Sequence, residues 1–183
     1  MKDRSNLAPG LKKNIFLTGA PSSGKTTVIK RVIKNLNSPA NGFYTEEEKI
    51  ASRRVGFLMR TLDGRQGYLA HQDISSVFHI RRYGVSLENI ETIAVPSIKP
   101  IEDNIIILDE IAKMECFSEV FRQAVMRALN SPNIVVGTVT FGGDDFIQSV
   151  KKRDDIEIIE VTLEARDSLP GLILEKIKNL QQA

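Results

Sequence analysis

Apolar positions along the chain fall into two alternating patterns. Short continuous apolar runs read as strands buried on both faces, and apolar residues three and four apart read as helices covering them. Ile15 to Leu17 is the first strand-like run, and Val28, Ile29, Val32, Ile33 and Leu36 follow at helical spacing after a glycine-rich turn. The cluster Asn37-Ser38-Pro39-Ala40-Asn41-Gly42 marks a loop, from which Gly42-Phe43-Tyr44-Thr45 opens a second strand. Past the charged run Glu46 to Lys49, the segments Val55 to Thr61 and Gln66 to His71 flank Asp63-Gly64, a strong hairpin signal. Pro96 and Pro100 argue against one long helix over Leu87 to Glu102. Asn104 to Leu108 is a β-branched run, and Val120, Phe121, Ala124, Val125 and Leu129 give a helical period with Ser118 as its N-cap. Strands are predicted at Ile134 to Val139 and Ile156 to Thr162, a short helix at Phe146 to Val150, and a last helix from Pro170 to Gln181.

Strands alternating with helices predict an α/β fold, with a mostly parallel sheet covered on both faces and an inserted β-hairpin at about residues 53–71. Two placements are open for the hairpin: beside a site at the strand ends, or as decoration of the sheet edge. The expected organisation is one domain over residues 13–183 behind a flexible extension, residues 1–12.

Composition narrows the class without choosing the function. At 183 residues, 42% hydrophobic and 26% charged, the chain suits one soluble globular domain. A net charge of +2 with no clustered basic stripe argues against nucleic acid as the main partner. The single cysteine, Cys116, has no neighbours at metal spacing and fits a reducing, cytoplasmic setting as a buried thiol. No apolar run approaches the roughly 20 residues of a membrane span. Residues 1–13 are polar, with no apolar core of a secretory signal.

The chemistry enters at the turn between the first strand and the first helix. It reads Gly19-Ala20-Pro21-Ser22-Ser23-Gly24-Lys25-Thr26-Thr27, the spacing G-x-x-x-x-G-K-T. Gly19 and Gly24 allow backbone N–H groups to wrap a phosphate, and the helix that follows adds its unpaired first-turn donors and the positive end of its dipole. At this spacing Lys25 reaches the β- and γ-phosphates, and the Thr26 hydroxyl is placed to ligate Mg²⁺. The buried run ending at Leu108 leads into Asp109-Glu110. Carboxylates at the end of a buried strand need a positive partner, and with a phosphate loop in the same chain they read as a Walker-B element. Asp109 would then hold Mg²⁺, and Glu110 would orient and deprotonate the attacking water.

Further candidates rest on thinner signals. Arg81 and Arg82 read either as surface charge or as stabilisers of transition-state charge. Thr138 lies toward the end of its strand, where a hydroxyl either senses the γ-phosphate or is simply a β-favouring residue.

Three stretches read together resemble the THEP family of thermophilic-type nucleoside triphosphatases: Gly19 to Thr27, Gly42-Phe43-Tyr44-Thr45-Glu46-Glu47, and Leu108-Asp109-Glu110-Ile111-Ala112-Lys113-Met114-Glu115. Tyr83-Gly84-Val85 and Arg166-Asp167 are similar to further family stretches, which also brings Lys113 and Arg166 among the candidate site residues. The resemblance implies a RecA-like, three-layer αβα P-loop fold. It also implies slow, Mg²⁺-dependent hydrolysis of ATP, GTP and other nucleoside triphosphates, with phosphate binding by Gly19 through Thr26. The chain departs from the family at Ala112, where Gly is common, at Ala165, where Asn is common, and at Asp145-Phe146, near a common His-Pro pair.

Two other readings stay open on the residues alone. A kinase for a small acceptor would use a lid drawn from Arg53, Arg54, Arg81 and Arg82, and a nucleotide-gated module would act on nucleic acid or protein. The base preference and the oligomeric state are not written in these motifs.

Overall fold

The apolar runs become the strands of one sheet in a computed structural model that describes residues 12–182. They are β1 (Asn14–Thr18), β2 (Ala40–Ile50), β3 (Arg53–Thr61), β4 (Gln66–His71), β5 (His79–Ile80), β6 (Tyr83–Val85), β7 (Ile105–Ile111), β8 (Val135–Val139) and β9 (Ile156–Glu160). Their order across the sheet is β5-β6-β4-β3-β2-β7-β8-β1-β9. From β2 to β9 every pairing is parallel, and from β2 to β5 every pairing is antiparallel. The expected parallel core and hairpin are both present, and β5 and β6 lengthen the antiparallel side. The expected extension lies outside the described residues, apart from Lys12.

Alternation along the core strands explains the layers. Ile15 and Leu17 of β1 and Ile105 and Ile107 of β7 face helix α1 (Lys25–Asn35) and the C-terminal helix (Leu169–Gln182). Phe16, Ile106 and Leu108 face the other way, toward the helical stretch 87–97, called α2, with α3 (Glu119–Asn130) and α4 (Asp145–Lys151). The C-terminal helix is α5. Ser118 caps α3 as expected, its Oγ accepting from the Phe121 N–H at 3.2 Å. Cys116 is buried, and burial pushes its thiol pKa up, away from the thiolate that would make it reactive.

Two segments differ from expectation. The charged run Glu46 to Lys49 does not end the second strand: β2 continues to Ile50 and pairs with β3. Leu87 to Glu102 forms no single long helix, since the helical stretch ends at Ser97, yet 87–97 is helical throughout despite Pro96. Its middle, Ile90–Ala94, takes the wider π register, with the Val95 N–H bonded to the Ile90 carbonyl. Pro96 offers no N–H to the carbonyl four residues back, and that carbonyl, on Thr92, accepts from Arg65 Nη1 instead.

Candidate active site

The loop from Gly19 to Gly24 is shaped by its glycines. Gly19 has φ 141°, and a Cβ there would stand 2.9 Å from the Val161 carbonyl oxygen. Gly24, at φ 102°, caps α1 without any side-chain hydrogen bond, and the first turn holds no acidic residue. The helix therefore presents unpaired N–H donors and an uncompensated positive end, which favours an anion. Lys25 arches back so that its Nζ donates to the carbonyls of Gly19 at 3.1 Å and Ala20 at 3.4 Å.

Because one strand, β8, separates β1 from β7, the C-terminal ends of β1 and β7 face a common cleft of about 560 Å³. Pro21, Ser22, Gly24, Lys25, Thr26 and Thr27 line one side, and Asp109, Glu110, Met114 and Glu115 line the other. Thr45, Glu46 and Glu47 of β2, with Arg54 and Phe57 of β3, close it from the antiparallel side.

Three carboxylates gather on the β7 side. Asp109 is 1% exposed, and Thr138 Oγ1 donates to its Oδ1 at 2.5 Å. The Thr45 hydroxyl holds the Asp109 backbone carbonyl at 3.1 Å. Burial raises the Asp109 pKa, opposed by Thr138, Thr26 and Lys25. Thr26 is near enough to act on that charge, yet Oδ2 has no partner in hydrogen-bond geometry. Glu110 is pushed up to about 7, by burial first and by Asp109 second, against the pull of Lys25. Glu115 is 2% exposed, its Oε2 has no hydrogen-bond partner, and burial with the charges of Glu110 and Asp109 raises its pKa well above the usual carboxylate range. Asp109 Oδ2, a buried oxygen without a donor on a carboxylate that the Thr26 hydroxyl also serves, is the kind of ligand a hard divalent cation takes.

A second hollow, of about 190 Å³, lies on the other flank of the α1 N-terminus. Gly24, Thr27, Val28, Arg31, Arg166 and Asp167 line it, and Arg31 Nη1 bonds Asp167 Oδ1 at 2.7 Å. This is where Arg166 lies.

The thinner candidates separate accordingly. Thr138 is fully buried and touches the cleft only through Asp109. Arg81 sits in the turn between β5 and β6, exposed at φ 55°, and lines neither hollow. Arg82 donates to the Arg54 carbonyl and to Tyr83 Oη. Lys113 is exposed, with its Nζ 6.0 Å from the Phe117 ring centroid, and it too stays out of both hollows.

Sequence reasoning missed Glu115, Glu46 and Glu47 as cleft residues, and it considered Arg54 only for a kinase lid. Glu46 accepts from Lys30 of α1 and Arg60 of β3, and Lys30 first of all draws its pKa down. The only signal for the three glutamates is membership of the quoted stretches, which does not say which way a side chain faces.

A glycine-lined loop at a helix N-terminus, opposite paired carboxylates on a buried parallel strand, defines a P-loop nucleotide-binding protein. Residues 14–174 match the family model described as NTPase, and the chain belongs to that family. It is 40% identical over 166 residues to nucleoside-triphosphatase THEP1 of Thermotoga maritima, covering 90% of this chain and 95% of that protein. It is 33% identical over 177 residues to the human cancer-related nucleoside-triphosphatase, covering 87% and 93%. The crystal structure of THEP1 from Aquifex aeolicus superposes with a TM-score of 0.82 at 32% identity, over 90% of this chain and 99% of that one. Among the described residues, no helix is long and apolar enough to cross a membrane.

Proposed function

We propose that this chain hydrolyses nucleoside triphosphates to diphosphates and phosphate, with Mg²⁺, slowly and with little regard for the base. The observation that carries the reading is one cleft in which Lys25 and Thr26, at a bare helix N-terminus, face the carboxylates Asp109 and Glu110.

The geometry supports a division of labour. The N–H groups of the loop and of the first turn of α1 bind the phosphates, and Lys25 exchanges the carbonyls of Gly19 and Ala20 for β- and γ-phosphate oxygens. Thr26 Oγ1 and Asp109 Oδ2 would hold Mg²⁺, which neutralises phosphate charge when bound. Thr138 and Thr45 fix Asp109 so that its second oxygen stays turned to that site. Glu110 accepts a proton from the attacking water, whose oxygen bonds to the γ-phosphorus as the bridging oxygen leaves with the diphosphate. A base whose pKa is about 7 is matched to that transfer at neutral pH.

The smaller hollow suits the base end of the nucleotide, because it adjoins the loop and is lined by neither Asp109 nor Glu110. Arg166 offers a flat cation, which attracts the face of any aromatic ring and ignores the edge pattern that tells bases apart. Weak discrimination among nucleotides follows.

Mg²⁺-dependent phosphate release from ATP, GTP, CTP and UTP by the wild type and Glu110→Gln tests the reading. Similar rates on all four, lost in the variant while nucleotide still binds, are expected. The basal scale for P-loop hydrolases without an assisting partner is roughly 10⁻⁴ to 10⁻² s⁻¹. Tight binding with no release by the wild type would overturn hydrolysis in favour of transfer to an acceptor.

A further inference from the structure

The mechanism above leaves one cationic fork in the cleft without work. Arg54 is the sole arginine lining it among the described residues. It lies near the tip of the β2–β3 hairpin, where Ala51 and Ser52 turn the chain with φ 47° and 64°. Beyond the turn the ladder slips: Lys49 pairs with Arg54 and Glu48 with Gly56, so Val55 is an extra residue on β3. A bulge of this kind interrupts the alternation of faces and re-aims side chains. Arg54 and Phe57, three residues apart, consequently both reach the cleft.

The guanidinium is held on one side by aromatic rings and a phenol, and on the other by a single exposed carboxylate. Its carbon stands 5.0 Å from the Phe57 ring centroid and 5.7 Å from that of Tyr83, and its Nε donates to Tyr83 Oη at 3.3 Å. Arg82 steadies the same phenol, donating to it at 3.0 Å. On the other edge, Nη1 donates to Glu47 Oε1 at 2.5 Å, and these two side chains are 34% and 38% exposed.

We propose that Arg54 is a catalytic arginine supplied in cis, which exchanges Glu47 for the γ-phosphate oxygens and stabilises the charge that gathers on them in the transition state. The proposal rests on the nucleotide reading of the cleft. An ion pair this exposed is weakly held, so a bound triphosphate competes for the fork on favourable terms. Once Glu47 is exchanged, the paired Nη1 and Nη2 donors of the planar fork match the spacing of phosphoryl oxygens, which a lysine in the same place does not. The other arginine candidates are placed elsewhere: Arg82 on the Tyr83 hydroxyl and outside the cleft lining, Arg81 in an exposed turn, and Arg166 in the second hollow.

The test compares the wild type with Arg54→Ala and Arg54→Lys on three readouts. These are single-turnover ATP hydrolysis with Mg²⁺, the Kd of the non-hydrolysable analogue AMP-PNP, and trapping of ADP with aluminium fluoride as a mimic of the transferring phosphoryl group. Both variants are expected to bind AMP-PNP within about threefold of the wild type, because uniform binding stays with the loop and Lys25. Both should lose about 10² or more in hydrolysis, short of the 10³ to 10⁵ that an arginine can supply, and should fail to trap ADP with aluminium fluoride. Free guanidinium added to Arg54→Ala should restore part of the rate. Hydrolysis and trapping close to wild type in either variant would overturn the proposal. So would equal losses of AMP-PNP affinity and rate, which would make Arg54 a ground-state contact. If Arg54→Ala does not fold, Arg54→Lys, which keeps the stem and the charge, decides alone. Failure of the wild type to bind AMP-PNP would overturn the nucleotide reading itself.

Discussion

The two halves of the sheet meet at β2 and build the cleft by opposite means. On the parallel side, functional groups sit at strand ends or in the turn that follows, where the backbone fixes them: the loop after β1, and Asp109 and Glu110 at the end of β7. Their supports are buried, as Thr138 beneath Asp109 shows. On the antiparallel side, Glu46, Glu47, Arg54 and Phe57 come from the middle or tip of strands, and exposed or half-exposed side-chain pairs hold them. Groups that must be in place before nucleotide arrives belong to the first kind. Groups that answer to the nucleotide's charge belong to the second, because a surface pair costs little to exchange.

Substitutions on the parallel side should therefore cost most. Lys25→Ala removes a cation bonded to the loop itself, and a loss of at least about 10² to 10³ in kcat is expected, the scale for deleting a donor aimed at developing charge. Nucleoside monophosphate binding should change little if Lys25 serves the β- and γ-phosphates as proposed. Phosphate-release kinetics and calorimetric titration with mono-, di- and triphosphates check both points. If Arg54→Ala proves costlier than Lys25→Ala, the division between halves is wrong.

Thr138→Val comes next. It leaves Asp109 Oδ1 buried without its donor while nearly preserving volume, a loss of about 1–3 kcal/mol. Thermal unfolding should show a fall of several degrees, at about 2–4 °C per kcal/mol for a chain of this size. Mg²⁺ dependence of the rate should shift to higher concentration, because Asp109 loses its orientation.

The legibility of the sequence follows the same division. The phosphate loop is readable because strand, turn and helix are local, and Gly19 and Gly24 are required by the backbone itself. The run to Leu108 is readable because burial on both faces leaves no polar position. The extension of β2 through Glu46-Glu47-Glu48-Lys49 is not: a strand at a half-exposed sheet carries charges on both faces and shows no period. Helix α2 was obscured by Pro96, whose missing N–H is harmless where the carbonyl four residues back finds Arg65. Arg54 was readable only as one arginine of a kinase lid, because its direction depends on the bulge at Val55. Glu115 was readable only as the last residue of a quoted stretch, since a carboxylate buried among carboxylates is the opposite of what composition teaches one to expect.

Glu115 also gives the pH test of the parallel half. Its pKa in the fold is raised above the ordinary 4.5, so the folded state holds a proton that the unfolded chain releases. Stability is then full below about 4.5 and falls as pH rises from there toward the raised value. Glu115→Gln removes that slope. With divalent cations chelated, the variant should melt with the wild type near pH 4.5 and a few degrees above it at pH 8, each kcal/mol relieved being about 2–4 °C. Wild-type and variant curves that stay parallel from pH 4.5 to 8 would mean that Glu115 has a cationic partner.

The smallest effect is expected at the antiparallel edge, and it has the opposite sign. Glu47→Gln keeps the shape of the side chain and removes the charge that holds Arg54 Nη1. If Glu47 competes with the γ-phosphate for Arg54, kcat at saturating nucleotide should rise, by roughly 1.5- to 5-fold for a pair worth about 0.2–1 kcal/mol. Salt supplies the control. An exposed pair is screened as the Debye length shortens from about 10 Å at 0.1 M to about 3 Å at 1 M, so wild-type kcat should approach that of the variant, and the variant should respond less. A fall in kcat would show that Glu47 positions Arg54 for catalysis instead of withholding it, and the edge would then be as preset as the core.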